Sequence, residues 1–206
     1  MTFPRIAASA AIIASVVWAV VAASAQVIEY EANGERFQTL SRKGLTVMVT
    51  HLPTQIAGYG LLQVSIANGS TIHWTVRPED FQYVRSSETA NALPADSVVN
   101  IMLDHASGND VVKLITAYER SLYAIPNMRS NNGYEQRRQG ALAFGASARM
   151  RAAAAASAIT LAQVRLAPGE STDGAVFLRL LREPKTLTGG HIVFHTEGET
   201  FEFNTD

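Results

Sequence analysis

The chain has 206 residues, 47% of them hydrophobic, a formal net charge of -1 and no cysteine. The missing thiols exclude disulfides, cysteine-ligated zinc and thiol catalysis. The near-neutral charge gives no field that would recruit nucleic acid or an anionic membrane without specificity, so we expect no nucleic-acid partner. The length suits one domain with its own core.

The first 25 residues predict a cleavable signal peptide. Arg5 precedes an apolar run over residues 6–21, and the small-x-small tripeptide at residues 23–25 places the cleavage site before Gln26. The alternative is an uncleaved membrane anchor, because the run approaches the roughly 18 apolar residues that begin to suggest a spanning helix. Cleavage predicts a periplasmic or secreted protein with no stable membrane span.

Period-2 alternation of apolar and polar residues predicts strands in the first part of the remaining chain. The dipeptide Asn33-Gly34 separates two such runs and is typical of a type I′ hairpin turn. A second turn at residues 68–70 joins two further runs, and Pro78 marks a corner before the next. The predicted strands lie at residues 27–31, 37–40, 45–51, 60–67, 71–76 and 81–85.

From about Asp96 the apolar residues recur at helical spacing, and Asp96 itself can cap the first turn. Residues 107–110 end this helix and cap a second one, which Pro126 closes. A third helix is predicted from Tyr134 to about residue 158, where an alanine tract has high helix propensity. Three helices at about 96–158 therefore interrupt a chain of strands. The last four strands are predicted at residues 160–166, 174–180, 191–195 and 200–203.

Segments on either side of the helices carry a family resemblance. Residues 166–170 read LAPGE, residues 174–177 read GAVF, and residues 64–76 carry a V-x-I-x-N-x-S run that ends on a valine. The pattern L-x-P-G-E-x-x-x-G-x-V-F resembles the secreted, mostly uncharacterised immunoglobulin-like domains of bacteria. The resemblance implies a mainly β, immunoglobulin-like β-sandwich over residues 26–206, here with a three-helix insertion. It implies no activity, since such a motif specifies a fold.

Elementary stereochemistry accounts for this pattern. Residues 168–170, with the sequence Pro-Gly-Glu, make a hairpin turn. Gly174 relieves crowding where the following strand re-enters the sheet. Val176 and Leu178 should point to the same face of that sheet, because side chains alternate along a strand.

The residue types of a hydrolytic triad occur together in the helical segment, although no G-x-S-x-G motif surrounds either serine. Caps and dipole partners at helix ends account for such residues equally well, so we predict no catalysis here. The set consists of Asp104, His105, Ser107, Asp110 and Ser121.

Other candidate ligands have structural explanations. His191 and His195 would share a zinc ion on a helix, but on a strand their rings lie roughly 13 Å apart. Residues 79–80, Glu and Asp, could bind calcium or a sugar, yet adjacent acids after Pro78 are typical of a solvated corner. Trp74 is predicted to point into the core, with carbohydrate stacking as the alternative. We predict no metal and no cofactor.

The helical segment is unusually basic. Residues 109–158 hold seven basic and three acidic side chains, a local charge of +4. Four arginines in it fall within about half the circumference of one helix and leave an alanine face for packing. Either this face docks on the sandwich and the arginines are solvated, or the helices form an interaction arm for another envelope protein. The arginines are Arg137, Arg138, Arg149 and Arg151.

Together these predictions favour an exported, non-enzymatic binding or structural module of the bacterial cell envelope. The alternatives are a secreted hydrolase and a carbohydrate-binding adhesin. A binding module predicts a mixed apolar and basic surface on the helices, without a deep polar pocket. A hydrolase predicts a cleft that gathers His105, Asp104 or Asp110 and a serine. An adhesin predicts Trp74 or several tyrosines exposed on one face.

Overall fold

The structure, a computed structural model, describes residues 26–86, 88–126, 129–141, 145–180 and 187–205. The predicted signal peptide lies outside these residues. The helices are α1 (Ala95–His105), α2 (Gly108–Leu122), α3 (Tyr134–Ala141) and α4 (Ala148–Ile159), with a short 3-10 helix at Pro78–Asp80. The strands are β1 (Ile28–Ala32), β2 (Glu35–Arg42), β3 (Leu45–Ile56), β4 (Tyr59–Asn68), β5 (Trp74–Val76), β6 (Phe81–Arg85), β7 (Glu88–Asn91), β8 (Val164–Leu166), β9 (Ser171–Arg179), β10 (His191–Thr196) and β11 (Glu199–Asn204).

The strands form two main antiparallel sheets. The larger sheet has the order β1-β2-β3-β4-β9, and the smaller has the order β11-β10-β6-β7. A third, two-stranded sheet pairs β5 with β8. The first hairpin is confirmed, because Asn33 and Gly34 adopt φ angles of 52° and 75°, as a type I′ turn requires. The mainly β, sandwich-like part of the predicted fold is therefore correct.

An inner core fills the space between the two main sheets. Strand alternation sends valine and leucine side chains of β3, β4 and β9 to this side, where Val176 and Leu178 point as predicted. The smaller sheet contributes aromatic rings, and those of Phe81 and Phe194 stack with their centroids 4.2 Å apart. Gly174 permits close packing here, because a Cβ atom at that position would lie 2.5 Å from the Cα atom of Leu161.

An outer core lies between the helices and the other face of the larger sheet. Leu52, Leu61 and Phe177 point to this side and are at most 1% exposed. The alanine tract of α4 is buried against α1, α2 and α3, and its small side chains let the helix axes approach closely. The helices therefore form a third layer on the sandwich.

The predicted three-helix insertion differs from the observed layer. The described residues of this segment form four α-helices, because the predicted third helix is divided into α3 and α4. Gly145 adopts a φ of 87°, and the Ser147 side chain accepts a hydrogen bond from the Met150 backbone N–H at 3.2 Å. A left-handed glycine and an N-cap serine begin a new helix at this point.

Two strand predictions are also corrected, because the strand predicted at 160–166 is confined to β8 and the one predicted at 71–76 to β5. The segment predicted at 71–76 forms only the short β5, which pairs with β8 and not with β4. Asn68 turns the chain away, since its Nδ2 donates to the Ile72 carbonyl at 2.8 Å and its Oδ1 accepts from the Ser70 N–H at 3.0 Å. The sequence does not predict strand β7, because its residues Glu-Thr-Ala-Asn show no apolar alternation.

Candidate functional site

The four arginines that the sequence places on one helix lie on two. Helix α3 carries Arg137 and Arg138, and α4 carries Arg149 and Arg151. Because α3 and α4 are separate helices, the prediction that the four arginines lie along one helix is wrong. Whether these side chains contact a partner stays a prediction.

The arginines of α3 are engaged within the helical layer. Arg137 donates from Nη2 to the carbonyl oxygens of Asn132 at 2.7 Å and of Ala158 at 3.1 Å. The second of these lies in the last turn of α4, where the helix dipole favours a cation. Arg138 forms an ion pair with Glu119 of α2. These contacts hold α3 against its neighbours, so the two arginines have a structural role.

The arginines of α4 have different surroundings. Arg151 is half-buried, and its Nε finds no acceptor within the described part of the chain. Arg149 is exposed, and the next residue, Met150, is 60% exposed despite its apolar side chain. Of the four predicted residues, Arg149 is therefore the one that the fold presents outward beside an apolar group.

Met150 is one of three exposed apolar side chains near the adjoining ends of three helices. Leu103 near the end of α1 is 40% exposed, and Val112 near the start of α2 is 64% exposed. The starts of α2 and α4 adjoin, because a Cβ atom placed on Gly108 would lie 3.9 Å from the Cβ of Ala148. We call Leu103, Val112, Arg149 and Met150 the helical corner.

A buried carboxylate, which sequence reasoning missed, joins the helical layer to β9. Asp173 is 2% exposed and accepts hydrogen bonds from the Tyr118 hydroxyl at 2.6 Å, the Ser130 hydroxyl at 2.8 Å and the Asn131 N–H at 2.6 Å. Burial, followed by the neighbouring carboxylate, raises the pKa of the Tyr118 hydroxyl. Three donors satisfy this carboxylate, so the cluster is an anchor for α2 and residues 129–133 rather than an open reactive site. A lone acid within an apolar strand is the sequence signal that would have identified it.

The hydrolytic residue types do not assemble into a triad. Asp110 accepts hydrogen bonds from the Ser107 N–H at 2.7 Å and from its hydroxyl at 2.8 Å, which is a capping box at the start of α2. Ser121 is fully buried near the other end of this helix, about 20 Å away at the helical rise per residue. Asp104 and His105 are exposed at the end of α1.

The histidine pair lies on β10, as the sequence predicts. His191 contacts the Asn204 side chain at 2.9 Å, and His195 contacts the Thr200 hydroxyl at 3.0 Å. Among the described residues, no group of three or more histidine, aspartate or glutamate side chains is arranged to hold a metal ion. Asp80 is occupied by an ion pair with Arg77 at 2.9 Å.

Trp74 does not offer a stacking surface for a sugar. Its side chain is 1% exposed within the inner core, and its Nε1 donates to the Ser70 hydroxyl at 2.9 Å. The default expectation of an inward-pointing tryptophan is therefore confirmed, and an adhesin that stacks carbohydrate on Trp74 is not supported.

Comparison with protein-family models, with curated proteins and with solved structures finds no match to this chain. Within the described residues, no helix has the length and apolar character needed to cross a bilayer.

Proposed function

We propose that this protein is an exported binding module of the bacterial cell envelope, built on an immunoglobulin-like sandwich, and that it engages a protein partner through the helical corner. The observation that carries the proposal is the exposure of three large apolar side chains at adjoining helix ends. Single exposed apolar residues are ordinary on protein surfaces, whereas neighbouring ones mark interaction sites. Methionine and arginine, both present at the corner, are enriched at interfaces.

The helices of the corner are also packed and hydrogen-bonded into the rest of the fold. They share the outer core with the larger sheet, and the Asp173 anchor fastens α2 to β9. A surface held in place before binding loses less conformational entropy on association than a mobile arm would. The signal peptide predicted from residues 1–25 supports export, and protein recovered from the periplasm of a bacterial host should begin at Gln26.

Site-specific photo-crosslinking in whole bacteria tests the proposal. A photoreactive amino acid replaces Asn109, which is exposed at the start of α2, in the full chain and in a Val112→Asp, Met150→Glu double variant. We expect one discrete crosslinked protein with the native corner and at least a tenfold weaker band with the double variant, since buried interface anchors contribute about 2 kcal/mol or more each.

The matched control changes an equally exposed apolar residue outside the helices. Ile72 is 52% exposed, and Ile72→Glu should leave the crosslinked band at its native intensity. A band that survives the double variant, or that the Ile72 variant weakens to the same extent, would contradict a partner bound at the helical corner.

A further inference from the structure

Three asparagines of this chain precede a glycine, and they are Asn33, Asn68 and Asn132. In such a pair the glycine nitrogen can attack the side-chain amide carbon of the asparagine, because glycine has no Cβ atom to crowd the approach. A succinimide ring forms, and the side-chain nitrogen leaves as ammonia with the proton of the glycine N–H. Water then opens the ring to aspartate or to isoaspartate, in which the backbone runs through the side-chain carbon. Hydrogen bonds decide which pair reacts, since the side chain must rotate before attack.

Asn68 is held by hydrogen bonds at both ends of its amide. It is 1% exposed, and its Nδ2 donates to the Ile72 carbonyl at 2.8 Å and to the Leu166 carbonyl at 3.2 Å. Its Oδ1 accepts from the Ser70 N–H at 3.0 Å and from the Ser70 hydroxyl at 2.6 Å. Rotation of this side chain breaks these bonds, so attack by Gly69 is disfavoured in the folded protein.

Asn132 is held in the same way. Its Nδ2 donates to the Asp173 carbonyl at 2.7 Å, and its Oδ1 accepts from the Ser130 hydroxyl at 2.7 Å and from the Tyr134 N–H at 2.9 Å. The bond to Tyr134 satisfies an N–H in the first turn of α3, which has no acceptor within the helix. Attack by Gly133 therefore also requires several hydrogen bonds to break.

Asn33 is not held in this way. It is exposed in the turn between β1 and β2, and its side chain makes no hydrogen bond to the residues that the structure describes. Its left-handed conformation turns the Gly34 nitrogen away from the side chain, so attack requires the turn to open. Opening costs little here, because β1 is exposed along most of its length and pairs, within the described residues, with β2 alone.

We propose that Asn33 is the asparagine at which the folded protein deamidates, and that the product weakens the attachment of β1. The turn joins the paired residues Ala32 and Glu35, and an isoaspartate lengthens a two-residue loop whose length sets that register. Either product adds a carboxylate beside Glu35. A Cβ atom on Gly34 would lie 3.6 Å from Arg120 Nη2, so the new acid forms near the cation that pairs with Glu35. The reaction needs only water and is independent of the protein partner proposed above.

Peptide mapping of the aged protein tests the proposal. Trypsin places the three pairs on separate peptides, which end at Arg36, Arg85 and Arg137. The folded protein is kept in mildly alkaline buffer at physiological temperature, and mass spectrometry with chromatography then resolves the amide, aspartate and isoaspartate forms of each peptide. We expect product at Asn33 to accumulate about tenfold faster than at Asn68 or Asn132, since reaction at those residues first breaks hydrogen bonds of about 1 kcal/mol each.

The same protein in urea is the matched control. Unfolding removes the hydrogen bonds and the turn alike, so the three asparagines should react at similar rates there. The product at Asn33 is followed in the folded protein by the loss of protection of the Ala32 amide against hydrogen exchange.

Two variants separate the turn from the hydrogen bonds. Asn33→Gly keeps a sequence that suits a type I′ turn but lacks the side-chain amide, so it should lose the acidic species that the aged native protein shows in ion-exchange chromatography. Ser130→Ala removes a donor to Asn132, so deamidation at Asn132 should become about fivefold faster while the rate at Asn33 stays the same.

Three results would overturn the proposal. Equal rates at the three asparagines of the folded protein would show that the hydrogen bonds give no protection. Product that appears first at Asn68 or Asn132 would place the modification elsewhere. An Asn33 that stays intact while the chain in urea is converted would show that the turn itself protects it.

Discussion

The inner face of the larger sheet packs on a second sheet, whereas its outer face packs on helices, and the two cores are built from different side chains. The inner core interlocks valine and leucine with phenylalanine rings, such as Phe194 and Phe201. In the outer core, the alanine tract of α4 packs with a few larger side chains. This core also contains the buried Tyr118–Asp173 hydrogen bond. Small side chains bring helices close, but they bury little area, so a polar anchor supplements the packing.

This difference shows how the helical segment relates to the sandwich. Strand β9 is buried on both faces over residues 172–178, so the helices cover a surface that would otherwise face water. An insertion that merely lengthens a loop would leave the outer face of the sheet polar. The helices are therefore part of the hydrophobic interior and not an appendage to it.

The largest predicted effect comes from removing the helical layer. Replacing residues 95–159 by a short Gly/Ser linker exposes Leu52, Leu61 and Phe177, each of which gains about 1.5–3 kcal/mol from burial. The replacement removes this burial free energy and also the contacts among the helices. The sum is comparable with the whole free energy of unfolding of a domain, about 5–15 kcal/mol. We expect no cooperative thermal transition in circular dichroism and an aggregated elution profile. A cooperative transition at the native midpoint would show that the outer core is dispensable.

The sequence predicts part of this difference between the two faces of the larger sheet. Alternation of apolar and polar residues identifies β3 and β4 as strands and shows which of their side chains face the inner core. This works because the side chains on the other face are polar near the ends of each strand. Residues 174–178 instead form an uninterrupted apolar run, which is the pattern of a strand buried on both sides. The sequence predicts a strand there, whereas the helices that cover its outer face are seen only in the structure.

Other features depend on contacts between distant residues. Gly145 and Ser147 are local signals for the break between α3 and α4, and the alanine tract obscured them because it favours helix so strongly. The Tyr118–Asp173 bond joins residues 55 positions apart, and no spacing rule links them. The helical corner likewise arises only when three helix ends meet. Tertiary placement, rather than residue type, creates these sites.

A second prediction concerns the closeness of packing at β9. Gly174→Ala places a Cβ atom 2.5 Å from the Cα and 2.6 Å from the backbone nitrogen of Leu161, so backbone must move. We expect a loss of about 3 kcal/mol in the free energy of unfolding, at the upper end of overpacking effects, measured by urea denaturation. Gly108→Ala is the control, because its nearest neighbour would lie 3.9 Å away. Equal stability of the two variants would mean that the contact relaxes without cost.

A third prediction tests the polar anchor of the outer core. Tyr118→Phe removes one of the three donors to the Asp173 carboxylate and keeps the ring, so the free energy of unfolding should fall by about 2 kcal/mol. The control is Tyr123→Phe, since Tyr123 is 47% exposed and its bond to Glu135 is at the surface; its effect should stay within about 0.5 kcal/mol. If both substitutions cost the same, the anchor adds nothing beyond an ordinary surface hydrogen bond.

The smallest effect is a pH dependence that originates at His51, a half-buried side chain of β3. Burial lowers the pKa of His51 below its ordinary value of 6.5. As the pH falls through about 6.5, the unfolded chain takes up a proton that the folded protein resists, so stability decreases towards acid and this histidine contributes nothing above that range. His51→Gln should therefore unfold with a flatter pH profile than the native protein between about pH 7.5 and 5.5, by urea denaturation. Parallel profiles would show that His51 is as solvated in the folded protein as in the unfolded chain.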